Sequence, residues 1–520
     1  MDQTKGPTTD EIDSAEVGEV QARDSLHRDF KSRHVSMIAV AGAIGTGLII
    51  GSGTGLHRGG PASLFIAYSI IGAAVYFIMT ALGEMATMLP MDKGFSGYAT
   101  RFVDPALGYA TGWNYFFKYA IVLPNNLTAA GIIIQYWRPD LNVAIFIASF
   151  TVVIVIINVL NVSFFGEAEF WMSTVKLLVI IMLILCCLII SLGGSPSGDR
   201  IGFRYWKHPG AFQEYLSDGS TGRFLGFWAC MVQACFAYTG TEVVGAAFGE
   251  TPNPKNNIPK AIRQTLWRIC FFYVLGVFIL GMAVPSDNKR LIGQKVGAAA
   301  SPFVIAVSLA GIKVLPDICN ACLLVFVLSA ANSDIYIGSR TLYGLAKDGQ
   351  APQLLYRTLK NGVPIFGVVM SVSFTSLGYM NVSKSSSTVF GYFVSLVTVF
   401  GTLNWLSILL SYLQFTRGMR AQGMSRRNMP YRGPLQPYGA YFALVITMVV
   451  TFFNGESPTT STLFLSKVTD CPGYNAFMPF TLSTFLTCYI GIVVYLFNIF
   501  FWKGFKKTKM VDLMEMDLGG

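Results

Sequence analysis

Charge is scarce in this 520-residue chain: only 13% of residues are Asp, Glu, Lys or Arg, about half the roughly 25% usual in soluble domains. A water-soluble globule with so little charge could not cover its surface. Apolar residues make up 53% and mean hydropathy is +0.52, which excludes a disordered chain. Four histidines form no metal cluster, and the nine cysteines carry no zinc-type spacing. Cys186, Cys187, Cys230, Cys235, Cys270, Cys319, Cys322 and Cys488 lie in apolar runs and only Cys471 in a loop, so no disulfide framework is expected. The 38 basic residues outnumber the 28 acidic ones, yet they form no patch with interleaved aromatics, which argues against nucleic acid as a partner. They lie instead in short segments between apolar runs, the pattern of topology control in a bilayer. With 40 Phe and 52 Gly, the composition is that of a polytopic membrane protein whose solvent is the lipid bilayer.

Residues 1–34 read as a polar, flexible amino-terminal tail with no apolar secretory core. Beyond it, stretches free of Asp, Glu, Lys and Arg occupy 34–57, 59–83, 119–137, 141–166, 177–198, 224–241, 269–286, 318–333, 361–383, 385–416, 433–455 and 471–502. Most approach or exceed the roughly 18–20 residues that cross a hydrocarbon core as a helix. The prediction is an all-α membrane protein with twelve transmembrane helices. Residues 35–415 hold the first ten, 416–502 the last two and 503–520 a second tail. Segment 296–312, with Pro302, reads as an interfacial or re-entrant helix. Twelve crossings place both termini on one side. That side receives 24 Lys and Arg residues against 12 in the opposite loops, which predicts cytoplasmic termini.

Backbone at membrane depth can break only where it is buried in protein or lines a cavity. The first span carries Gly42-Ala43-Ile44-Gly45-Thr46-Gly47, and the sixth carries Tyr238-Thr239-Gly240-Thr241-Glu242. They lie five spans apart, the register expected of broken helices in an inverted-repeat transporter. Close helix packing is the other reading of such glycines. At a break, amide-bearing helix starts favour a carboxylate and carbonyl-bearing helix ends a cation. Ile44, Gly45, Thr46 and Gly47 are therefore candidates to hold a carboxylate. Carbonyls of Phe236, Ala237 and Tyr238, with Gly240 and Thr241 beside them, are candidates to hold an ammonium. The ligand implied is an α-amino acid.

Charges within spans are functional candidates by default. Lys176, placed one or two turns into the fifth span, reads as a proton-coupling group or as a fixed cation replacing sodium; a structural or snorkelling lysine is the alternative. Glu242, just after the second break, reads as a gating or proton-linked carboxylate, or as a structural hydrogen-bonding group. Lys118, mid-way along the third span and followed by Asn125, Asn126 and Thr128, could meet a substrate anion or pair with an acid such as Glu242. Glu84 and Asp334, at the ends of charge-free runs, are expected at the interface. Gly45-Thr46-Gly47 resembles part of a dinucleotide fingerprint but has no preceding strand. No nucleophile–base spacing points to an enzyme. Sequons at Asn126 and Asn161 are expected to be unused, whereas Asn381 would face outward.

Arg33-His34-Val35-Ser36-Met37-Ile38-Ala39 followed by Gly42-Ala43-Ile44-Gly45-Thr46-Gly47-Leu48 resembles the opening of fungal and bacterial amino-acid permeases of the amino acid–polyamine–organocation superfamily. Gly83-Glu84-Met85-Ala86, Gly240-Thr241-Glu242, Gly249-Glu250, Asn253-Pro254 and Ser339-Arg340-Thr341-Leu342-Tyr343-Gly344-Leu345-Ala346 are similar too. The likeness covers roughly residues 30–502. It implies a LeuT-like fold of two inverted five-helix repeats plus two helices, and proton-driven amino-acid uptake at a plasma membrane, with the proton as coupling ion and no other cofactor. It places the substrate carboxylate at the first-span glycines, the α-amine at the sixth-span segment, and Lys176 near the sodium site of sodium-coupled relatives. Phe117-Lys118-Tyr119, Leu127-Thr128-Ala129-Ala130 and Gly202-Phe203-Arg204-Tyr205-Trp206 resemble the fungal dicarboxylic amino-acid permease branch. Neutral-substrate members usually carry a glutamate where Asn126 stands and lack the cation at Lys118, so the resemblance implies glutamate or aspartate as substrate. Pro124-Asn125-Asn126 and Tyr238-Thr239-Gly240 depart from the branch pattern. A permease for neutral or broad-range amino acids and a non-transporting amino-acid sensor are the alternatives; the short tails favour transport over sensing. Lys5 and Lys31 are candidate sites for ubiquitin-dependent trafficking machinery.

Overall fold

The structure, a computed structural model, describes residues 45–91, 94–160, 162–196, 198–243, 254–292, 301–382, 386–454 and 482–518. Ile44, Asn161, Cys471 and the amino-terminal lysines lie outside these residues. Every regular element among the described residues is helical, as a chain must be when the surrounding hydrocarbon offers its backbone no partner.

A π-helical turn, Gly47–Gly51, leads into α1 (Ser52–Met88). This run is two arms joined at Gly60, whose φ of 81° leaves the helical region just before Pro61. Then come α2 (Gly94–Phe102), α3 (Pro105–Gln135), α4 (Val143–Leu160), α5 (Val162–Ser191) and α6 (Gly219–Tyr238). Next, α7 (Pro254–Arg268) passes through a π-helical segment, Ile269–Leu275, into α8 (Gly276–Ala283). The remainder is α9 (Pro302–Leu309), α10 (Leu315–Lys347), α11 (Ile365–Ser373) extended by a 3₁₀ stretch (Phe374–Val382), α12 (Ser386–Ala421), α13 (Tyr438–Phe452) and α14 (Leu482–Lys506). Asp104 starts α3 by accepting the Ala106 amide at 2.8 Å, with Pro105 in the first position, where no amide is needed.

Among the described residues nine helical runs are long and apolar enough to cross a bilayer. The first of them, Gly47–Met88, contains the bend at Gly60. α13 is shorter, and α6 carries Arg223 and Gln233. α9, at eight residues, reaches only about 12 Å and cannot cross; Pro302 to Val307 are buried. Burial is inverted relative to a soluble protein. Ile145, Val152, Val153, Ile156 and Leu160 of α4 and Val493, Phe497 and Phe500 of α14 are exposed. Lys118, Asn125, Asn126, Glu169, Lys176 and Asp334 are buried inside. An apolar exterior around a polar interior identifies a membrane-embedded body.

Three packings position the interior. α1 lies along α6, α3 is held between α10 and α12, and α10 leans on α5. Asn114 of α3 donates to the Phe400 carbonyl (2.8 Å) and to Asn404 Oδ1 (2.9 Å) of α12. At one end of α3, the chain after α14 folds back, its Val511 amide donating to the Val103 carbonyl at 2.9 Å.

Three expectations change. Glu84 is buried, receiving Arg426, the Tyr412 hydroxyl (2.7 Å) and the Gly433 amide (2.6 Å). Asp334 is buried within α10, which continues to Lys347. Both are enclosed by protein, Glu84 one turn before the end of α1 and Asp334 mid-way along α10, because each finds hydrogen-bond partners inside. Lys176 lies about four turns into its helix, since α5 already begins at Val162. Asn381 donates its amide to Thr128 Oγ1 at 3.0 Å.

Candidate functional site

Both sequence-indicated breaks have a local cause. At the first, Gly45 is non-helical and the helix starts at Thr46–Gly47 with no side chain capping it. Thr46 donates its hydroxyl elsewhere, to Asn126 Oδ1 of α3 at 3.0 Å. Among the described residues no side chain caps the start of this π-turn, where a helix leaves its first amides without an intrahelical partner. At the second, α6 stops at Tyr238: Thr239 is extended (φ −60°, ψ 134°) and Gly240 has a φ of 104°, which favours glycine. Thr239 and Thr241 hydroxyls donate to the carbonyls of Phe236 (2.6 Å) and Tyr238 (2.7 Å). Two of the three carbonyls expected to face an ammonium thus already accept two bonds each, the second from the Thr239 amide (3.3 Å, to Phe236) and the Thr241 amide (3.2 Å, to Tyr238).

The two breaks touch. Gly47 sits so close to Ala237 that a Cβ would overlap the Ala237 Cα and lie 2.8 Å from its nitrogen. Around Gly45 the equivalent position is open. Between the breaks lies a partly open cavity, whose roughly 610 Å³ of empty space includes its opening to solvent.

Gly45, Thr46, Gly47, Lys118, Asn126, Lys176, Phe236 and Gly240 all line this cavity, which brings distant parts of the chain together. Ala237, Tyr238, Thr241 and Glu242 do not line it. The Tyr238 ring points away, stacked on Tyr273 at 4.3 Å, its hydroxyl donating to the Tyr68 carbonyl at 3.0 Å. α3 contributes Lys118, Val122 and Asn126, spaced four apart on one face.

Neither buried lysine is a bare cation. Lys118 forms an ion pair with Glu242, fully buried on both sides, and faces the Tyr119 ring at 4.7 Å. Glu242 also accepts the Gly240 amide (3.0 Å) and the Trp405 indole N–H (3.2 Å), so it caps the second break while tying it to α3 and α12. Lys176 Nζ lies 3.6 Å from Glu169 and 5.7 Å from the Phe326 ring centre. Glu169 in turn accepts from Ser173, Ser329 and Asn332 at 3.0–3.3 Å. Of the two readings offered for Lys118, pairing with Glu242 is the one found.

Sequence reasoning missed α10. Ala330, Ser333, Asp334 and Ile337 line the cavity from that helix, opposite the first break. Asp334 accepts the Asn126 amide at 2.7 Å, and Asn126 accepts from Thr46, giving a chain Thr46–Asn126–Asp334 across three helical elements. The signal available was spacing: positions 330, 333, 334 and 337 share one helical face. Tyr119, Thr239 and Val397 complete the wall and were not anticipated either. Among the described residues no group of His, Cys, Asp and Glu could hold a metal ion.

Residues 34–514 match the family model described as amino acid permease. The chain is 56% identical over 496 residues to an uncharacterised amino-acid permease of Schizosaccharomyces pombe, covering 95% of this chain and 92% of that one. It is 47% identical over 503 residues to the dicarboxylic amino acid permease of Saccharomyces cerevisiae, covering 95% of this chain and 79% of the relative. It is 39% identical over 471 residues to the lysine-specific permease of the same yeast, covering 90% and 74%.

Proposed function

The chain belongs to the amino acid permease family, and on that footing we propose that it imports L-amino acids across the plasma membrane by proton symport, with glutamate and aspartate favoured. Twelve spans in a LeuT-like inverted repeat, with both termini cytoplasmic, are part of this reading. The observation that carries it is the meeting, across one cavity, of an uncapped helix start at Thr46–Gly47 and a helix end at Tyr238. A zwitterion fits such a pair of ends: its carboxylate against amides of Gly45 to Gly47, its ammonium against carbonyls of the Phe236–Tyr238 turn.

The acidic preference is supported by the 47% identity to a dicarboxylic amino acid permease and by Asn126, which leaves α3 without a carboxylate at the cavity. A substrate side-chain carboxylate would compete with Glu242 for Lys118. Freed from that pair, Glu242 would loosen its hold on the Gly240 break, and this is the gating role proposed for it. Lys176, held by Glu169, would act as the fixed cation replacing sodium. A permease with broader or neutral preference is the second reading, favoured by the same Lys118–Glu242 pair, which makes Lys118 structural.

The test is uptake of labelled glutamate, leucine and lysine into proteoliposomes under an imposed proton gradient. Glutamate should accumulate, and a protonophore should abolish the accumulation. If glutamate neither enters nor competes with leucine, the acidic preference is wrong. Uptake driven by sodium at constant pH would remove proton coupling.

A further inference from the structure

Among the described residues five carboxyls are buried: Glu84, Asp104, Glu169, Glu242 and Asp334. The first four face a cation, namely Arg426, Lys503, Lys176 and Lys118 respectively. Asp334 is the exception. Its hydrogen-bond partner among the described residues is the neutral Asn126 amide at 2.7 Å, and no described Lys or Arg lies within ion-pair distance of it. It is also the one of the five that lines the cavity. We propose that Asp334 is the proton-carrying group of this transporter, linked through Asn126 and Thr46 to the carboxylate end of the substrate site. This rests on the proton-symport reading above and deepens it.

The charge balance of the cavity carries the inference. The groups facing Asp334 are Lys118 and Tyr119 from α3, Lys176 and Glu169 from α5, and Glu242 behind Lys118. α4, α9 and α11, which also pack on α10, bring no titratable side chain. On α10 itself, Arg340 lies nearly two turns further along, its guanidinium 3.4 Å from the centre of the Tyr336 ring. Each lysine is matched by its own glutamate, so among the described residues the net charge at the cavity is that of Asp334. With Asp334 ionised, the cavity is negative and repels an incoming carboxylate. With a proton on one Asp334 oxygen, that repulsion is gone.

The hydrogen-bond chain makes the coupling local. Thr46 heads the turn whose amides would hold the substrate carboxylate, and it donates to Asn126, which donates to Asp334. A substrate anion at Gly45–Gly47 and an anionic Asp334 would lie at the two ends of this one short chain in a low-dielectric space. Substrate binding therefore draws a proton onto Asp334, and reciprocally the proton raises substrate affinity. Opening to the cytoplasm, where protons are fewer, releases both. The proton enters and leaves as itself, with no bond in the substrate changed.

The experiment uses the full chain in proteoliposomes with labelled glutamate, comparing wild type, Asp334→Asn and Asp334→Glu. In wild type, apparent affinity should weaken by up to about tenfold per pH unit on the alkaline limb. Asp334→Asn should flatten that profile and lose gradient-driven accumulation, while glutamate counterflow persists at a reduced rate. Asp334→Glu should restore accumulation with a displaced pH profile, and it keeps the test open should the Asn variant fail to fold. A gradient-dependent wild type whose Asn variant accumulates glutamate with the same pH profile overturns this inference alone. An Asp334→Glu profile identical to wild type, with counterflow lost in the Asn variant, also overturns it. A wild type indifferent to the gradient overturns the symport reading, and this inference with it.

Discussion

Gly47 of the first break and Ala237 of the second are in backbone contact, with no room for a methyl group between them. Because both sides of this contact are backbone, neither can swing aside as a side chain would. Gly47→Ala should therefore strain the junction, at a cost typical of overpacking, about 1–3 kcal/mol. Gly45, two residues earlier, has nothing within 4 Å of an added Cβ and lines the cavity. Gly45→Ala should leave the melting temperature unchanged and raise the KM for amino acid, because its methyl occupies substrate space. Thermal unfolding in detergent and uptake kinetics separate the two. Equal loss of stability in both variants would contradict the geometry.

The Lys118–Glu242 pair yields a second prediction. Removing one member leaves the other buried and unmatched, which typically costs about 3–5 kcal/mol. Lys118→Gln and Glu242→Gln should each lower the melting temperature sharply, and the double variant should regain much of the loss. Under the acidic-substrate reading, the rescued double variant folds but no longer prefers glutamate to leucine. Melting curves for the four proteins, with competition uptake on the double variant, check both halves. Additive losses would mean that the two side chains do not interact.

The helix start at Thr46–Gly47 and the helix end at Tyr238 were legible in the sequence because glycine clusters and flanking threonines state a local backbone demand. Lys118 and Lys176 stood out because the third and fifth spans were read as extending past them, although each bounds a charge-free run. Asp334 and Glu84 did not, and the reason is physical. A span read as a charge-free run ends at its first charge, yet that charge can stay inside when the fold supplies a partner. Asn126 lies 208 residues from Asp334 in sequence, and Arg426 lies 342 residues from Glu84. No local pattern announces such partners. The same rule started the fifth span too late, since Glu169 is buried and satisfied by Ser173, Ser329 and Asn332.

Asp104 gives a pH-dependent prediction outside the membrane-spanning helices. Burial alone would raise its pKa, but the Lys503 ammonium (2.7 Å), the Ala106 amide (2.8 Å) and the Thr508 hydroxyl (2.8 Å) hold it below the usual carboxylate range. These bonds tie the segment after α14 to the start of α3, alongside the Val511–Val103 bond and the Arg101 guanidinium donating to the Asp517 carbonyl at 2.9 Å. A carboxyl depressed on folding contributes stability above its unfolded pKa and loses it as pH falls through the folded value. Docking should therefore hold at neutral and mildly acidic pH and weaken below about pH 4. Asp104→Asn should loosen the segment already at pH 7, raising its amide exchange roughly tenfold or more. Hydrogen exchange of residues 507–518 in both proteins reads this out. Protection that stays constant between pH 7 and pH 3 would contradict it.

Asn126 tests what the cavity selects. Its two ends are both engaged, accepting from Thr46 and donating to Asp334, so its neutrality is built into the network. Asn126→Glu would place a carboxylate beside the amides of Gly45–Gly47 and opposite Asp334. Two carboxyls in one low-dielectric space cannot both ionise at ordinary cost. The variant should therefore reject a substrate with a second negative charge far more than one without. Glutamate uptake should fall by at least about tenfold, the factor that one pKa unit of added repulsion supplies, and leucine should be spared or improved in competition assays. Asn126→Gln keeps the amide and lengthens the arm, so it separates charge from shape. If Gln and Glu replacements depress glutamate and leucine uptake alike, Asn126 serves the packing of α3 against α10 and does not set the substrate's charge.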